Sequence, residues 1–297
     1  MYKRAFLFNG IGSKPEKLMM GLSPELKDKF NAYMDDEFTR LELCKELEKN
    51  NGYDRKVAEW VISLISDRVV FEHYISKGIV PDIGAGYSSG IVSISACFGS
   101  ISHEFAHDII MMNRATMSCL DRHGEKLDMG VIIGIGYSDV RELLGSHFSE
   151  DDVMVGSANS IICTMITGRE EYVDKALQIC LEEGALKAIK FGTGVAYHHP
   201  IMQKYSQEYV DFCASQKYNA PDYPIMSIFD NRIMTEGSDV LKENQINVMT
   251  PIRWDLALKD LEELGVTEFF DVSANGAVKK FSRVNKRKCK IYTLEEL

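Results

Sequence analysis

The first apolar positions, Ala5 to Phe8 in "RAFLFNGIGSK", form a short unbroken run closed by a glycine turn, the pattern of a strand buried on both faces. From there to about residue 80 the apolar spacing becomes three and four. "SPELKDKFNAYMDDEF" offers Ser23 as an N-cap ahead of an acidic first turn, and "DRKVAEWVISLISDRVVFEHYISKG" carries a helical stripe that stops at Gly78. "VPDIGAGYS" then reads as a second buried strand entering a turn, and "SSGIVSISACFG" as a helix packed on both sides. Strand, helices, strand and turn in this order predict a parallel α/β sheet.

From Lys126 the texture changes. "LDMGVIIGIGYSDVRELLGSHFSEDDVMVGSANSIICTMITGREEYVDKALQICLEEGALKAIKF" reads strand, helix, strand, strand, helix, strand, the order of a split βαβ unit. The predicted fold class is α/β: a large α/β-hydrolase-like parallel-sheet domain over residues 1–125 and 191–297, with a small ferredoxin-like (split βαβ) domain inserted at 126–190. The large domain resumes near Gly192 and includes an amphipathic helix, "PIRWDLALKDLEELG", and a strand, "TEFFDVS".

A chain of 297 residues, 45% apolar, can bury a full core. No apolar run reaches the roughly 18 residues of a membrane span, and "MYKRAFLFNG" lacks the pattern of a signal peptide. A cytoplasmic protein without a membrane partner is expected. The seven cysteines (44, 97, 119, 163, 180, 213 and 289) are scattered with no C-x-x-C pair, which suggests reduced thiols and neither a disulfide framework nor a zinc site. The formal charge of −10 argues against nucleic acid as a partner. One stretch differs: "KKFSRVNKRKCK" holds seven cations and no anion, and removing those seven leaves −17 for the rest of the chain. Such a strip is either a solvated tail or a place to meet an anionic partner.

Gly86-Tyr87-Ser88-Ser89-Gly90 fits G-x-S-x-G, in which a serine stands on a strained turn at the carboxyl edge of a sheet. A serine hydroxyl needs a base in reach. Of the seven histidines, His103 and His107 in "HEFAHD" match H-E-x-x-H literally, with Glu104 between them. No third ligand is evident, so this segment reads as a surface helix and no metal is expected. "GTGVAYHHPIM", at the point where the chain re-enters the large domain, supplies His198 in a glycine-bearing loop, the kind of junction where ligand clefts form.

With these residues in order, the chain resembles the malonyl-CoA:acyl-carrier-protein transacylases and the acyltransferase domains of polyketide synthases, from Ala5 to about Val284. "FLFNGIGSK" is similar to F-x-F-P-G-Q-G-S-Q, and "GYSSGIVSISACFGSIS" to G-H-S-L-G-E-Y-S-A-L-x-x-A-G. "ANSIICTMITG" is similar to N-S-P-x-Q-x-V-I-(S/A)-G, "VAYHHPIM" to H-A-F-H-S-P-L-M, and "PIRW" to N-P-V-Q-W. The resemblance implies ping-pong acyl transfer by a Ser88–His198 dyad. The backbone N–H groups of Ile11 and Ser89 would form the oxyanion hole, and a backbone carbonyl around Arg253 would orient the histidine. Arg114 would grip the carboxylate of a malonyl group, at the cost of one inserted residue between Ser88 and Arg114 relative to the family. Tyr87, Tyr197 and Asn159 would lie in the acyl pocket, Tyr197 favouring malonyl. No bound cofactor is implied: a CoA thioester is the substrate, and phosphopantetheine belongs to the partner, an acyl carrier protein. Lys286, Arg287 and Lys288 would help dock that carrier, and the enzyme is expected to be a monomer.

The sequence departs from the family at Tyr87, Ile91, Val92 and Arg253, and "SANGAV" stands where G-P-G-x-x-L is expected. These departures suggest a free-standing enzyme of polyketide or mixed peptide-polyketide assembly. Two alternatives keep the fold, a hydrolase of acyl carrier proteins and a carrier-to-carrier acyltransferase, and a third of a different class is a non-catalytic docking protein for carrier proteins. An unrelated esterase would order its triad Ser, Asp, His.

Overall fold

The computed structural model describes residues 2–10, 15–41, 52–282 and 289–297. In chain order its strands are β1 (Arg4–Phe8), β2 (Ile83–Gly86), β3 (Leu127–Ile133), β4 (Val153–Ser160), β5 (Cys163–Arg169), β6 (Lys187–Lys190), β7 (Ile225–Met226), β8 (Ile233–Met234), β9 (Glu268–Asp271) and β10 (Lys290–Tyr292). One sheet has the order β10-β9-β1-β2-β7-β8 and is parallel except for the β7–β8 pair. The other, β4-β5-β3-β6, is antiparallel throughout.

β1 shows why the large sheet is parallel and central. Ala5 and Leu7 pack on one face, with Ile83, Ala85 and Trp254, while Phe6 and Phe8 pack on the other, against Val69, Tyr74, Ile94 and Phe98. All four β1 side chains are fully buried, which requires cover on both faces and so a sheet between helical layers. Each buried large side chain contributes about 1.5–3 kcal/mol. The Gly90–Cys97 helix is buried at every position, as its apolar pattern predicts.

The small sheet carries the Tyr137–His147 and Glu170–Glu182 helices around its own core of Ile132, Val140, Leu144, Val153, Ile166 and Val173. Its strand order is that of a split βαβ unit, in agreement with the sequence. The small sheet is stitched to the segment ahead of the Trp254–Glu263 helix at Ile252. Ala158 N–H donates to the Ile252 carbonyl at 3.0 Å, and Ile252 N–H donates to the Gly156 carbonyl at 2.9 Å.

One reading is corrected. The "HEFAH" segment is the His103–Met111 helix, capped by Ser102, but His107 is fully buried, so this is a core-packed helix. At the end of the basic strip, whose residues 283–288 lie outside the described residues, Lys290–Tyr292 is an edge strand in register with Glu268–Phe270. No helix among the described residues is long and apolar enough to cross a membrane.

Candidate active site

β2 delivers the chain to Tyr87, whose N–H donates to the Phe8 carbonyl at 3.0 Å. The next residue, Ser88, has φ of 52°, a left-handed conformation that costs a non-glycine residue roughly 1–2 kcal/mol. The turn is held by Gly90 N–H on the Tyr87 carbonyl at 2.8 Å and Ile91 N–H on the Ser88 carbonyl at 3.1 Å. Two backbone segments, 8–10 and 87–90, meet here with no room for side chains. A Cβ on Gly10 would lie 1.8 Å from the Tyr87 carbonyl oxygen and 2.5 Å from Ser89 N, and one on Gly90 would lie 2.6 Å from the Phe8 carbonyl oxygen. The Ser89 hydroxyl closes the arrangement by donating to the Gly10 carbonyl at 2.8 Å.

His198 is also left-handed, with φ of 64°. Its own N–H donates to the Val248 carbonyl at 2.9 Å, which fixes the loop. Its Nε2 lies 2.8 Å from Ser88 Oγ and its Nδ1 lies 3.2 Å from the Thr250 carbonyl oxygen. A carbonyl can only accept, so Nδ1 carries the proton and Nε2 presents a lone pair to the serine hydroxyl. Burial lowers the imidazole pKa to about 4, against the opposing pull of the Thr250 and Asn247 carbonyls. The ring is therefore neutral at ordinary pH. A hydroxyl hydrogen-bonded to a neutral, oriented imidazole can serve as a nucleophile with a base in reach.

The pair opens into a chamber of about 400 Å³ including its mouth, lined also by Gly10, Trp60, Ser89, Asn113, Tyr197 and Asn247. Tyr197 packs edge-on against Trp60 at 5.7 Å and donates its hydroxyl to Asn113 Oδ1 at 2.8 Å. Ser88, Ser89, His198 and Tyr197 are thus brought together. Ile11 lies outside the described residues, as do Lys286, Arg287 and Lys288. Of the basic strip, Lys279 and Lys290 both face Glu296, at 2.7 and 3.5 Å.

Other expected residues fall elsewhere. Tyr87 and Asn159 are not in the chamber. Tyr87 is turned into the core on the opposite face, where its hydroxyl donates to Asn159 Oδ1 at 2.8 Å and its ring meets Trp254 and Phe281. The left-handed turn at Ser88 sends successive side chains in opposite directions, so the serine and the tyrosine cannot share a pocket. Arg253 does not orient the histidine; the Thr250 carbonyl does. Arg253 instead forks onto the Asp255 carboxylate at 3.0 and 2.9 Å and lies over the Tyr137 ring. Arg114 sits on the Asn113–His123 helix, but Asn113 lines the chamber and Arg114 does not.

Asn113, Asn247, Trp60 and Thr250 are the residues that sequence reasoning missed. For Asn113 a signal existed: without the inserted residue that the arginine assignment demands, Asn113 itself takes that place. For Thr250 no signal exists, since the contributing atom is a backbone carbonyl.

No family model matches the chain. It is 24% identical to the malonyl CoA-acyl carrier protein transacylase of Bacillus subtilis, over 95% of this chain and 92% of that protein. It is 23% identical to the polyketide biosynthesis malonyl CoA-acyl carrier protein transacylase BaeC of Bacillus velezensis, over 90% of this chain and 91% of that one. The solved structure of the malonyl CoA-acyl carrier protein transacylase from Coxiella burnetii superposes with a TM-score of 0.83 at 22% identity, covering 98% of this chain and 93% of that one, which shows a shared fold. By sequence along nearly its whole length, and by fold, the chain is a relative of the malonyl CoA-acyl carrier protein transacylases.

Proposed function

We propose that the protein is an acyltransferase that takes a malonyl-type acyl group from CoA onto Ser88 and passes it to the phosphopantetheine thiol of an acyl carrier protein. The observation that carries this reading is the 2.8 Å contact between Ser88 Oγ and His198 Nε2 at a strained turn. The order of events is ping-pong. Ser88 Oγ attacks the thioester carbonyl as its proton moves to Nε2, and the imidazolium is steadied by its Nδ1–H on the Thr250 carbonyl. The oxyanion is met by the Ser89 N–H at the start of the Gly90–Cys97 helix; the second donor that the resemblance implies, the N–H of Ile11, lies outside the described residues. Preorganised donors of this kind lower a barrier by about 3–4 kcal/mol. The intermediate expels the CoA thiolate, which takes the proton from Nε2. The carrier thiol then gives its proton to Nε2, attacks the acyl-serine ester and restores Ser88.

The pathway we read is a polyketide-type assembly line. The match to a polyketide-biosynthesis relative and the departures at Tyr87, Ile91, Val92 and Arg253 support this. The test is the intact-protein mass after incubation with malonyl-CoA, followed by addition of a phosphopantetheinylated carrier protein. An adduct of malonyl mass that is absent in Ser88→Ala and transfers to the carrier is expected. An adduct that decays at the same rate without the carrier would instead make the protein a hydrolase.

A further inference from the structure

Among the described residues, no charged side chain lines the chamber in front of Ser88. Its apolar wall is Trp60, Val92, Ile110 and Val248; its polar atoms come from Asn113, Asn247, Tyr197 and Tyr209 beside the Ser88–His198 pair. Asn113 is 8% exposed and rigidly held, with Oδ1 accepting from Tyr197 and Nδ2 donating to the Ile110 carbonyl at 2.9 Å. A primary amide has two N–H donors, so one remains for a ligand. Asn247 is 4% exposed, and its Oδ1 is buried without a hydrogen-bond partner among the described residues. A buried acceptor of that kind favours a ligand that brings a donor, and it disfavours an anion. A carboxylate entering this space would give up its hydration without gaining a cation among the described residues.

We infer that Asn113, together with Tyr197, meets the far end of the acyl group, and that selection rests on size and neutral hydrogen bonding instead of charge. Short acyl groups without a terminal carboxylate are therefore accepted alongside malonyl. The inference rests on acyl transfer by Ser88 and His198, and it sets which acyl groups that pair handles. A bidentate arginine clamp is specific for an anion because its hydrogen bonds are charge-assisted. An amide and a phenol offer a carboxylate only neutral hydrogen bonds, so malonyl gains modestly from them and an acetyl methyl, which makes none, forgoes little.

The experiment offers malonyl-CoA and acetyl-CoA in equal amounts to the wild type, Arg114→Ala and Asn113→Arg, and follows the two Ser88 adducts by intact mass. We expect initial loading rates within about tenfold of each other in the wild type, against the 10⁴-fold or greater rejection that a site built on one specific polar contact can reach. Arg114→Ala keeps that ratio within about twofold, and Asn113→Arg moves it toward malonyl by about tenfold or more. A wild-type preference for malonyl above tenfold, or one that Arg114→Ala abolishes, overturns the inference. Should Asn113→Arg fail to fold, Tyr197→Phe keeps the ring against Trp60 and removes only the hydroxyl. It must then change the ratio by about threefold or more, and an unchanged ratio overturns the inference. No Ser88 adduct from either donor in the wild type brings down the acyltransferase reading itself, a different outcome from a wrong preference.

Discussion

His198 is held between two opposing influences. Burial disfavours its charged form and lowers its pKa to about 4, while the carbonyls of Thr250 and Asn247 favour the imidazolium and pull the other way. The resting ring is neutral, and in the proposed acyl transfer the same carbonyls would accept its N–H as it becomes charged. The first consequence is kinetic: the acid limb of Ser88 acylation should fall near pH 4, well below the ordinary histidine value of about 6.5. Single-turnover loading from malonyl-CoA across pH 3.5–8 measures this (range about the two values compared), and a limb near 6.5 would mean that the working imidazole is not buried. His198→Ala should slow acylation by about 10²–10⁴-fold. The second consequence is for stability. The folded-state pKa is depressed, so the contribution of this histidine is fully present above 6.5 and is lost as pH falls from there through about 4.

At the scale of elements, the Gly237–Ile246 helix is tied to the active-site loop by one carboxylate. Glu243 accepts the Ile228 N–H at 3.0 Å and the Ser227 hydroxyl at 2.9 Å, and the Ile228 carbonyl accepts the Arg253 N–H at 3.0 Å. The same helix leads directly to Val248 and Thr250, the two carbonyls that hold His198. Burial raises Glu243 to about 7, the two hydrogen bonds opposing. Its folded pKa is above the unfolded value of 4.5, so its stabilising effect is complete below 4.5 and is lost as pH rises through 7. Glu243→Gln keeps an acceptor for the Ile228 N–H without a charge to bury. Its Tm should therefore fall less than that of the wild type between pH 6 and pH 8 (a span about the shifted value). Equal slopes would show that Glu243 does not titrate in that range. Glu243→Ala, which leaves the Ile228 N–H without its partner, should cost about 1–3 kcal/mol at either pH.

Which elements were legible in the sequence follows from where their signal lies. β1, β2 and the Gly90–Cys97 helix announce themselves through local apolar runs and glycines, and they carry Ser88 with them. The antiparallel sheet was legible as an order of elements. β10 was not: its apolar content is Ile291 and Tyr292 behind a run of cations, and it exists because β9 offers an unpaired edge far away in sequence. The serine and the histidine could be found by residue type, but the direction of Tyr87 could not, because it depends on the backbone dihedral of the next residue.

For the whole molecule, the question is how a histidine from one end of the small-sheet insertion meets a serine from the other within 2.8 Å. The answer lies behind the site. Tyr87, the residue before Ser88, reaches out of the large sheet and donates to Asn159 of β4, with Ser157 Oγ 3.1 Å away. Ile252, two residues after the Thr250 carbonyl, is bridged to the same strand at Gly156 and Ala158. Both halves of the site are therefore referenced to β4, and displacement of the small sheet would separate His198 from Ser88. Trp254 and Phe281 pack on the Tyr87 ring at 5.5 and 4.8 Å, so the ring is a core element in its own right. Tyr87→Phe keeps that packing and loses only the hydroxyl, which should lower unfolding free energy by about 1 kcal/mol. Tyr87→Ala opens a cavity and should cost about 3–5 kcal/mol. Because Tyr87 faces away from the chamber, the malonyl-to-acetyl loading ratio of Tyr87→Phe should stay within about twofold of wild type. Urea denaturation and competitive loading on the same variant separate the two roles. A large change in the loading ratio with unchanged stability would put Tyr87 in the acyl pocket after all.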